Sequence, residues 1–106
     1  MPLTSQDKKQ LKSIGHHLKP VLQLGDKGPS ESFISEFDQR LEDHELIKVR
    51  INGEDRDQRL AIVESLCQAC SCEQVQFIGK TALFYRAAKK PNPKLSNLLR
   101  SPSRHL

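Results

Sequence analysis

The chain has 106 residues and a formal net charge of +4 at pH 7, from seventeen Lys and Arg against thirteen Asp and Glu. This length suits one compact domain, so we expect a single hydrophobic core. Only 36% of the residues are hydrophobic, and no apolar run approaches the ~20 residues that a membrane-spanning helix needs, which excludes a transmembrane protein. Residues 1–10 are polar and lack the apolar stretch of a secretory signal, so we expect a cytoplasmic protein.

Basic residues are concentrated at the C-terminal end of the chain. Residues 86–106 contain six Lys or Arg and no acidic residue, whereas the first 85 residues hold eleven basic and thirteen acidic ones. Pro91, Pro93 and Pro102 interrupt this segment, and its few apolar residues do not offset the entropy lost on ordering it. We therefore expect a domain over residues 1–87 and a basic, largely disordered tail over residues 88–106, which would strengthen binding to a polyanion.

The first half of the chain predicts a helix, a short strand and a second helix. Ser5 is placed to cap the first helix and Pro20 to end it. The apolar positions of this helix recur at helical spacing, at Leu11, Ile14 and Leu18. Residues 21–24 are predicted as a strand, followed by a turn over residues 25–28. Ser30 is placed to cap the second helix, whose apolar positions are Phe33, Ile34, Phe37 and Leu41.

The second half predicts a strand, a third helix and a hairpin. Residues 46–51 are predicted as a half-buried strand, with Ile47, Val49 and Ile51 on one face and Lys48 and Arg50 on the other. A turn at Asn52-Gly53 leads into a third helix, whose apolar positions are Leu60, Val63, Leu66, Cys67 and Cys70. Residues 74–78 and 81–86 are predicted as strands separated only by Gly79-Lys80, which suits a tight hairpin.

These elements run in the order α, then β-α-β-α-β-β, which predicts an α/β fold of the two-layer α+β type with a four-stranded mixed sheet. Crossover helices join the first three strands, so we expect these strands to be parallel. The hairpin joins the last two strands, so we expect the fourth strand to run antiparallel to its partner.

Two patterns that resemble chemical sites are better explained by structure. Gly79-Lys80-Thr81 matches the end of a phosphate-binding P-loop, but Gln74 stands where that motif needs its first glycine. Cys67, Cys70 and Cys72 have no fourth metal ligand close in sequence, so reduced, packed thiols are favoured over the alternative of a structural zinc site. No nucleophile and base stand at a recognisable spacing. We therefore expect no enzyme, no cofactor and no bound metal.

The turn Gly25-Asp26-Lys27-Gly28 has the best case for a binding role. Its two glycines let the backbone pass close to a partner, and Lys27 presents a positive charge. The amides at the N-terminus of the following helix face the same region. This arrangement can clamp a phosphodiester backbone. Glycines are also common in tight turns for conformational reasons alone, so both interpretations stay open.

Four basic residues are predicted to extend this loop into a surface, namely Lys48, Arg50, Lys80 and Arg86. Lys48 and Arg50 share one face of their strand, and Lys80 lies in the hairpin. If the fourth strand lies beside the second, these charges would form one continuous surface. An ordinary solvated sheet face is the alternative.

Five short motifs stand in register along the chain: Leu18-Lys19-Pro20, Gly25-x-x-Gly28, His44-Glu45-Leu46-Ile47-Lys48-Val49, Ile78-Gly79-Lys80 and Tyr85-Arg86. Together they resemble the CRM domain, the chloroplast RNA splicing and ribosome maturation module. The resemblance covers about residues 3–86 and is strongest to the free-standing bacterial members of the family.

The resemblance implies a fold similar to the C-terminal domain of a translation initiation factor. It also implies RNA binding without catalysis through Gly25, Asp26, Lys27 and Gly28, comparable to the GxxG loop of KH domains. Bacterial members are associated with precursors of the large ribosomal subunit. We therefore expect a monomeric RNA-binding factor that assists assembly of this subunit. The alternatives are an adaptor that docks on a ribosomal or assembly protein through the acidic second helix, and a factor for another structured RNA.

Overall fold

The computed structural model of the protein describes residues 3–25 and 28–98. Its elements follow the predicted order and are α1 (Ser5–Gly15), β1 (Leu22–Leu24), α2 (Glu31–His44), β2 (Leu46–Ile51), α3 (Arg56–Cys70), β3 (Glu73–Ile78) and β4 (Thr81–Tyr85). The predicted fold class, helices combined with a four-stranded mixed sheet, is confirmed. Among the residues described, none of the helices has the length and apolar character needed to span a membrane.

The strands form one sheet in the order β1-β2-β4-β3. β1 pairs in parallel with β2, and β4 pairs antiparallel with both β2 and β3. The first three strands therefore share one direction and β4 opposes them, as predicted. β4 lies between β2 and β3, so the hairpin turn comes next to the end of β2.

The larger hydrophobic core lies between one face of the sheet and the helices α2 and α3. Ile47, Val49 and Ile51 of β2 are fully buried on this face, as their alternation predicts. Phe37 of α2 meets Phe84 of β4 edge to face, with 4.9 Å between the ring centroids. This packing decides which side chains of β2 and β4 are left for the opposite face.

Helix α1 covers part of the opposite face of the sheet. Leu11 and Ile14 of α1 pack with Leu83 of β4 in a second, smaller core cluster. The approach is closest at Gly15, where an added Cβ would lie 2.5 Å from a methyl carbon of Leu83. Helix α1 thus adds a partial third layer to the two expected from the sequence. On this face the C-terminal half of β2 stays open, since Lys48 is half-buried and Arg50 is exposed.

Capping side chains define where the helices begin. Ser30 caps α2 as predicted, and Asp55 caps α3. The cap of α1 is Thr4, one residue before the predicted Ser5. Thr4 accepts a hydrogen bond from the backbone N–H of Asp7, and the Asp7 carboxylate accepts one from the N–H of Thr4 at 3.1 Å. This reciprocal pair satisfies two N–H groups at the start of the helix and so favours Thr4.

Residues 88–98, here called the C-terminal strap, pack against the domain, whereas composition alone had indicated disorder from residue 88 onward. The anchor is Glu45, a buried residue with a φ of +64°. Its carboxylate accepts hydrogen bonds from the Ser96 hydroxyl at 2.7 Å and from the Ala88 N–H at 2.9 Å. Glu45 and Ser96 are 51 residues apart, so the composition of the tail does not reveal the contact. Residues 99–106, also assigned to the predicted tail, lie outside the described residues.

Candidate nucleic-acid interface

Three turns meet at one end of the sheet, where the parallel strands β1 and β2 both end. The backbone N–H of Asn52, just after β2, donates to the carbonyl oxygen of Leu24 in β1 at 2.9 Å. The N–H of Ile51 donates to the carbonyl oxygen of Lys80 in the hairpin at 2.6 Å. Gly25 and Gly28 of the first turn are therefore neighbours of the turns over residues 52–53 and 79–80, and we call these two glycines and two turns the turn cluster.

The two glycines of the first turn present bare backbone. Gly28 has a φ of +86°, in the left-handed region that favours glycine, and its N–H donates to the carbonyl oxygen of Gly25 at 3.4 Å. Among the described residues, no atom lies within 4 Å of a Cβ built on either glycine. A partner can therefore approach the backbone closely at both positions. Asp26 and Lys27, the other two residues of the predicted loop, lie outside the described residues.

Strand β2 directs Lys48 and Arg50 to the face opposite the larger core, as their alternation predicts. Arg50 is exposed, and its Nε donates to Oδ1 of Asn52 at 3.1 Å. This bond holds the guanidinium at the turn cluster. Lys48 is half-buried and pairs across the sheet with Leu83, against which α1 packs. Lys48 therefore lies one pleat farther from the turn cluster, on the same face as Arg50.

Lys80 lies next to Arg50 across the β2–β4 pair. Arg50 pairs with Thr81, the residue that follows Lys80, and Lys80 itself is exposed. Gly79 permits the tight turn because its φ is +59°. Since β4 lies beside β2, the structure brings Lys48, Arg50 and Lys80 to one end of the sheet.

Two further arginines, which the sequence analysis did not single out, lie at the same end. The Arg59 guanidinium donates to the carbonyl oxygens of Gly53 at 2.9 Å and Gly79 at 3.1 Å, so it links two turns of the cluster. Gly53 leaves room for this side chain, because a Cβ there would lie 2.8 Å from Cγ of Arg59. The Arg56 guanidinium lies 5.0 Å from the ring centroid of Phe77. Both arginines are in the first turns of α3, where no sequence pattern marks a tertiary contact.

Arg86 lies apart from the turn cluster. Its guanidinium forms an ion pair with Asp38 of α2 at 2.6 Å and donates to the carbonyl oxygen of Cys70, at the end of α3, at 2.9 Å. Arg86 stands six positions after Lys80 in extended chain, a span of roughly 20 Å. Strand alternation explains the placement, because Arg86 shares the face of Phe84 and so points toward the helices. The basic surface expected to continue to Arg86 therefore ends before it.

Acidic side chains lie on the other side of the turn cluster, where α3 begins. They are Glu54, Asp55 and Asp57. Asp55 is occupied as the N-cap, since its carboxylate accepts the Gln58 N–H at 2.7 Å. The start of α3 therefore carries both charge signs, whereas the face of Arg50 is basic and attracts a polyanion.

The aromatic side chains of β4 and the three cysteines are used in packing. Phe84 is fully buried, and Tyr85 is half-buried against the second core cluster, where burial raises the pKa of its hydroxyl. Cys67, Cys70 and Cys72 are free thiols. Within the part of the chain that the structure describes, no group of three or more side chains is placed to hold a metal ion.

Residues 3–86 match the family model of the CRS1 / YhbY (CRM) domain. A Pseudomonas aeruginosa protein named as a probable RNA-binding protein is 50% identical over 100 residues, which cover 94% of this chain and 96% of that protein. A Haemophilus influenzae protein named as an RNA-binding protein is 36% identical over 93 residues, covering 88% of this chain and 94% of that protein. The solution structure of a Staphylococcus aureus protein, described as a candidate RNA-binding protein, superposes with a TM-score of 0.76 at 35% identity, covering 89% and 97% of the two chains.

Proposed function

The chain belongs to the CRS1 / YhbY (CRM) domain family, and from this premise we propose that it is a non-enzymatic RNA-binding protein. In this proposal the protein acts as a monomer in the cytoplasm. It binds ribosomal RNA in precursors of the large ribosomal subunit and assists their assembly. RNA binding is supported by the relatives, which are named as RNA-binding proteins. The ribosomal role extends the family resemblance that the sequence motifs carry.

The observation that carries the proposal is the turn cluster, where open glycine backbone lies beside exposed basic side chains. Gly25 and Gly28 leave space for a phosphodiester backbone to approach, and the neighbouring Arg50 and Lys80 supply positive charge. Phosphate contacts of this kind position RNA and dominate the affinity of such complexes. Lys27, inside the same loop, is proposed as a further phosphate contact.

The tail is proposed to add affinity that salt weakens. The basic residues beyond residue 87 are Lys89, Lys90, Lys94, Arg100 and Arg104. The first three lie on the exposed side of the C-terminal strap, whose backbone is bound to the domain. Exposed positive charges on such a bound segment attract a polyanion at long range.

The acidic second helix kept an adaptor open in the sequence analysis, and two of its carboxylates are used inside the molecule. Asp38 pairs with Arg86, and Glu42 accepts hydrogen bonds from the backbone N–H groups of Lys89 and Lys90 at 3.0 and 3.1 Å. These carboxylates hold β4 and the C-terminal strap in place. The contacts of these two carboxylates within the molecule weaken the case for an adaptor that docks through them.

Gradient sedimentation of the tagged protein from cell lysate, with and without nuclease, tests the proposed role. We expect migration with precursors of the large subunit that nuclease abolishes. The double variant Arg50→Gln/Lys80→Gln should shift to the top of the gradient. The matched control Lys8→Gln/Lys9→Gln removes the same charge from α1 and should migrate like the wild type. Lys8 lines a depression with Glu73 at the start of β3, at the opposite end of the sheet. Migration that persists after nuclease treatment would favour the adaptor instead.

A further inference from the structure

Two of the three cysteines are held together by the turn that ends α3. Ser71 adopts a left-handed conformation with a φ of +53°, and its N–H donates to the carbonyl oxygen of Cys67. The N–H of Cys72 donates to the same oxygen at 3.1 Å. Cys67 and Cys72 are therefore the first and last residues of a closed six-residue turn. This turn folds the chain back on itself, so two residues that are five apart in sequence lie close together.

The side chains of this pair converge as well. The Sγ of Cys72 lies 3.9 Å from the carbonyl oxygen of Leu66, over the last turn of α3. Both thiols line an open surface depression of about 410 Å³, together with Lys8 and Glu73. Cys67 is half-buried and Cys72 is 8% exposed, so a small solute reaches Cys67 first.

The two thiols differ in acidity. The hydrogen bond from Cys72 lowers the pKa of Cys67, against the opposing effects of burial and of the carboxylates Glu73 and Glu64. The same hydrogen bond raises the pKa of Cys72, and burial adds to the rise. Cys67 is therefore the thiol that ionises first, while Cys72 stays protonated as the donor. Cys67 can therefore react first as the nucleophile, and Cys72 is the neighbouring thiol that can react second.

Cys70 lines a different depression from the other two thiols, together with Asp38 and Arg86. Its Sγ is 3.9 Å from the carbonyl oxygen of Ile34 in α2, and burial raises its pKa. The geometry thus distinguishes one pair among the three thiols.

We propose that Cys67 and Cys72 form a dithiol site that hydrogen peroxide oxidises to an intramolecular disulfide. The Cys67 thiolate attacks one peroxide oxygen, the O–O bond breaks, and the departing oxygen leaves as water after taking up a proton, which yields a sulfenic acid on Cys67. The Cys72 thiol then attacks the Cys67 sulfur, the S–O bond breaks, and a second water leaves with the Cys72 proton. The two thiols lose two electrons in total and one peroxide molecule gains them.

This site is independent of the proposed RNA interface. Cys72 precedes β3, whereas the turn of residues 79–80 follows β3, so a full strand separates the thiol pair from the turn cluster. Oxidation of the pair and RNA binding are therefore measured separately, and failure of one leaves the other standing.

The test uses the full chain, reduced with a phosphine, desalted and exposed to hydrogen peroxide. After quenching, the protein is alkylated in denaturant, and its mass and the positions of the alkyl groups are determined. We expect the number of alkylated cysteines to fall from three to one, with the remaining group on Cys70, and reduction to restore all three. Three alkyl groups after peroxide, a disulfide that contains Cys70, or a disulfide-linked dimer would each overturn the proposal.

Two variants sharpen the assignment. Cys70→Ala should still lose both remaining thiols at the wild-type rate, because Cys70 takes no part. Cys67→Ala should keep both of its thiols, because the nucleophile is gone, and the half-buried position makes this change mild for the fold. Loss of two thiols from Cys67→Ala as fast as from the wild type would show that Cys67 is not required. The wild-type mapping decides the pairing even if a variant does not fold.

Discussion

Arg59 binds the carbonyl oxygen of Gly79 from a different part of the chain, with 3.1 Å between its Nε and that oxygen. A second bond from the same guanidinium reaches the carbonyl oxygen of Gly53 at 2.9 Å. One side chain thus fixes two of the three turns at the end of the sheet. The positions of Arg50 and Lys80, which flank these turns, depend on that connection.

We expect Arg59→Met to destabilise the domain by about 1–3 kcal/mol, because two hydrogen bonds from a charged donor are removed. It should also weaken RNA binding, because the hairpin that carries Lys80 is no longer tied to the turn at Gly53. Urea unfolding and RNA binding measured on the same preparation check both effects. A variant that loses stability but binds RNA like the wild type at a temperature where it is folded would show that the connection is not needed for the interface.

Two variants in the first turn distinguish the effect of backbone strain from that of a close approach by RNA. Gly28→Ala should destabilise the domain by about 1–2 kcal/mol, because an L-residue is strained at a φ of +86°. Gly25→Ala is the matched control, since its backbone is not in that region and an added Cβ meets open space. We expect it to unfold at the wild-type urea concentration while binding RNA more weakly, because its methyl group occupies the space of the phosphodiester backbone. Unchanged RNA binding by Gly25→Ala would mean that the backbone of the loop is not approached closely.

The contact between Gly15 and Leu83 predicts that a single methyl group disturbs the second core cluster. Gly15→Ala places a Cβ 2.5 Å from the buried Leu83 side chain, so we expect a loss of about 1–3 kcal/mol from overpacking. Leu83→Ala removes the clash but leaves a cavity, and costs about 2–5 kcal/mol alone. The double variant should therefore be more stable than the sum of the two losses predicts. Strict additivity in urea unfolding would argue against the close approach.

The attachment of the C-terminal strap should depend on pH. Hydrogen bonds from the backbone N–H groups of Lys90 and Lys89 lower the pKa of Glu42 below its ordinary value of 4.5. A carboxylate with a lowered pKa in the folded state stabilises the attachment above the ordinary value, and this contribution is lost as pH falls through the lowered one. The amide proton shifts of Lys89 and Lys90 should therefore titrate with a midpoint below 4.5, and Glu42→Gln should abolish that step. A midpoint above the ordinary value would contradict this account.

Periodicity in the sequence predicted most of the fold. The alternation of residues 46–51 correctly assigned Ile47, Val49 and Ile51 to the core and Lys48 and Arg50 to the opposite face. The two-residue hairpin predicted the antiparallel pair of β3 and β4. These features depend on local spacing, which a single chain displays directly.

The candidate site was less visible because its contacts join distant residues. Arg86 was placed with the basic surface from its charge, because the sequence did not reveal that Phe84 and Arg86 share the face toward the helices. Arg59 carried no local signal, because its role depends on turns 6 and 20 residues away. The bond between Glu45 and Ser96 is equally remote from anything that the composition of the tail shows. Asp26 and Lys27 lie outside the described residues, and their role stays a prediction from the sequence.

The central claim is that the turn cluster binds RNA through its basic side chains. Filter binding to transcribed large-subunit ribosomal RNA over a series of salt concentrations tests it most directly, with the wild type, Arg50→Gln/Lys80→Gln and the control Lys8→Gln/Lys9→Gln. Each phosphate that the protein neutralises contributes about 0.7–0.9 to the slope of log K against log salt.

We expect the Arg50/Lys80 variant to bind more weakly and with a shallower slope, by about 0.7–0.9 for each phosphate that it no longer neutralises, while the control keeps the wild-type slope. Equal slopes for both double variants would contradict the claim, because the charge would then act without regard to its position at the turn cluster.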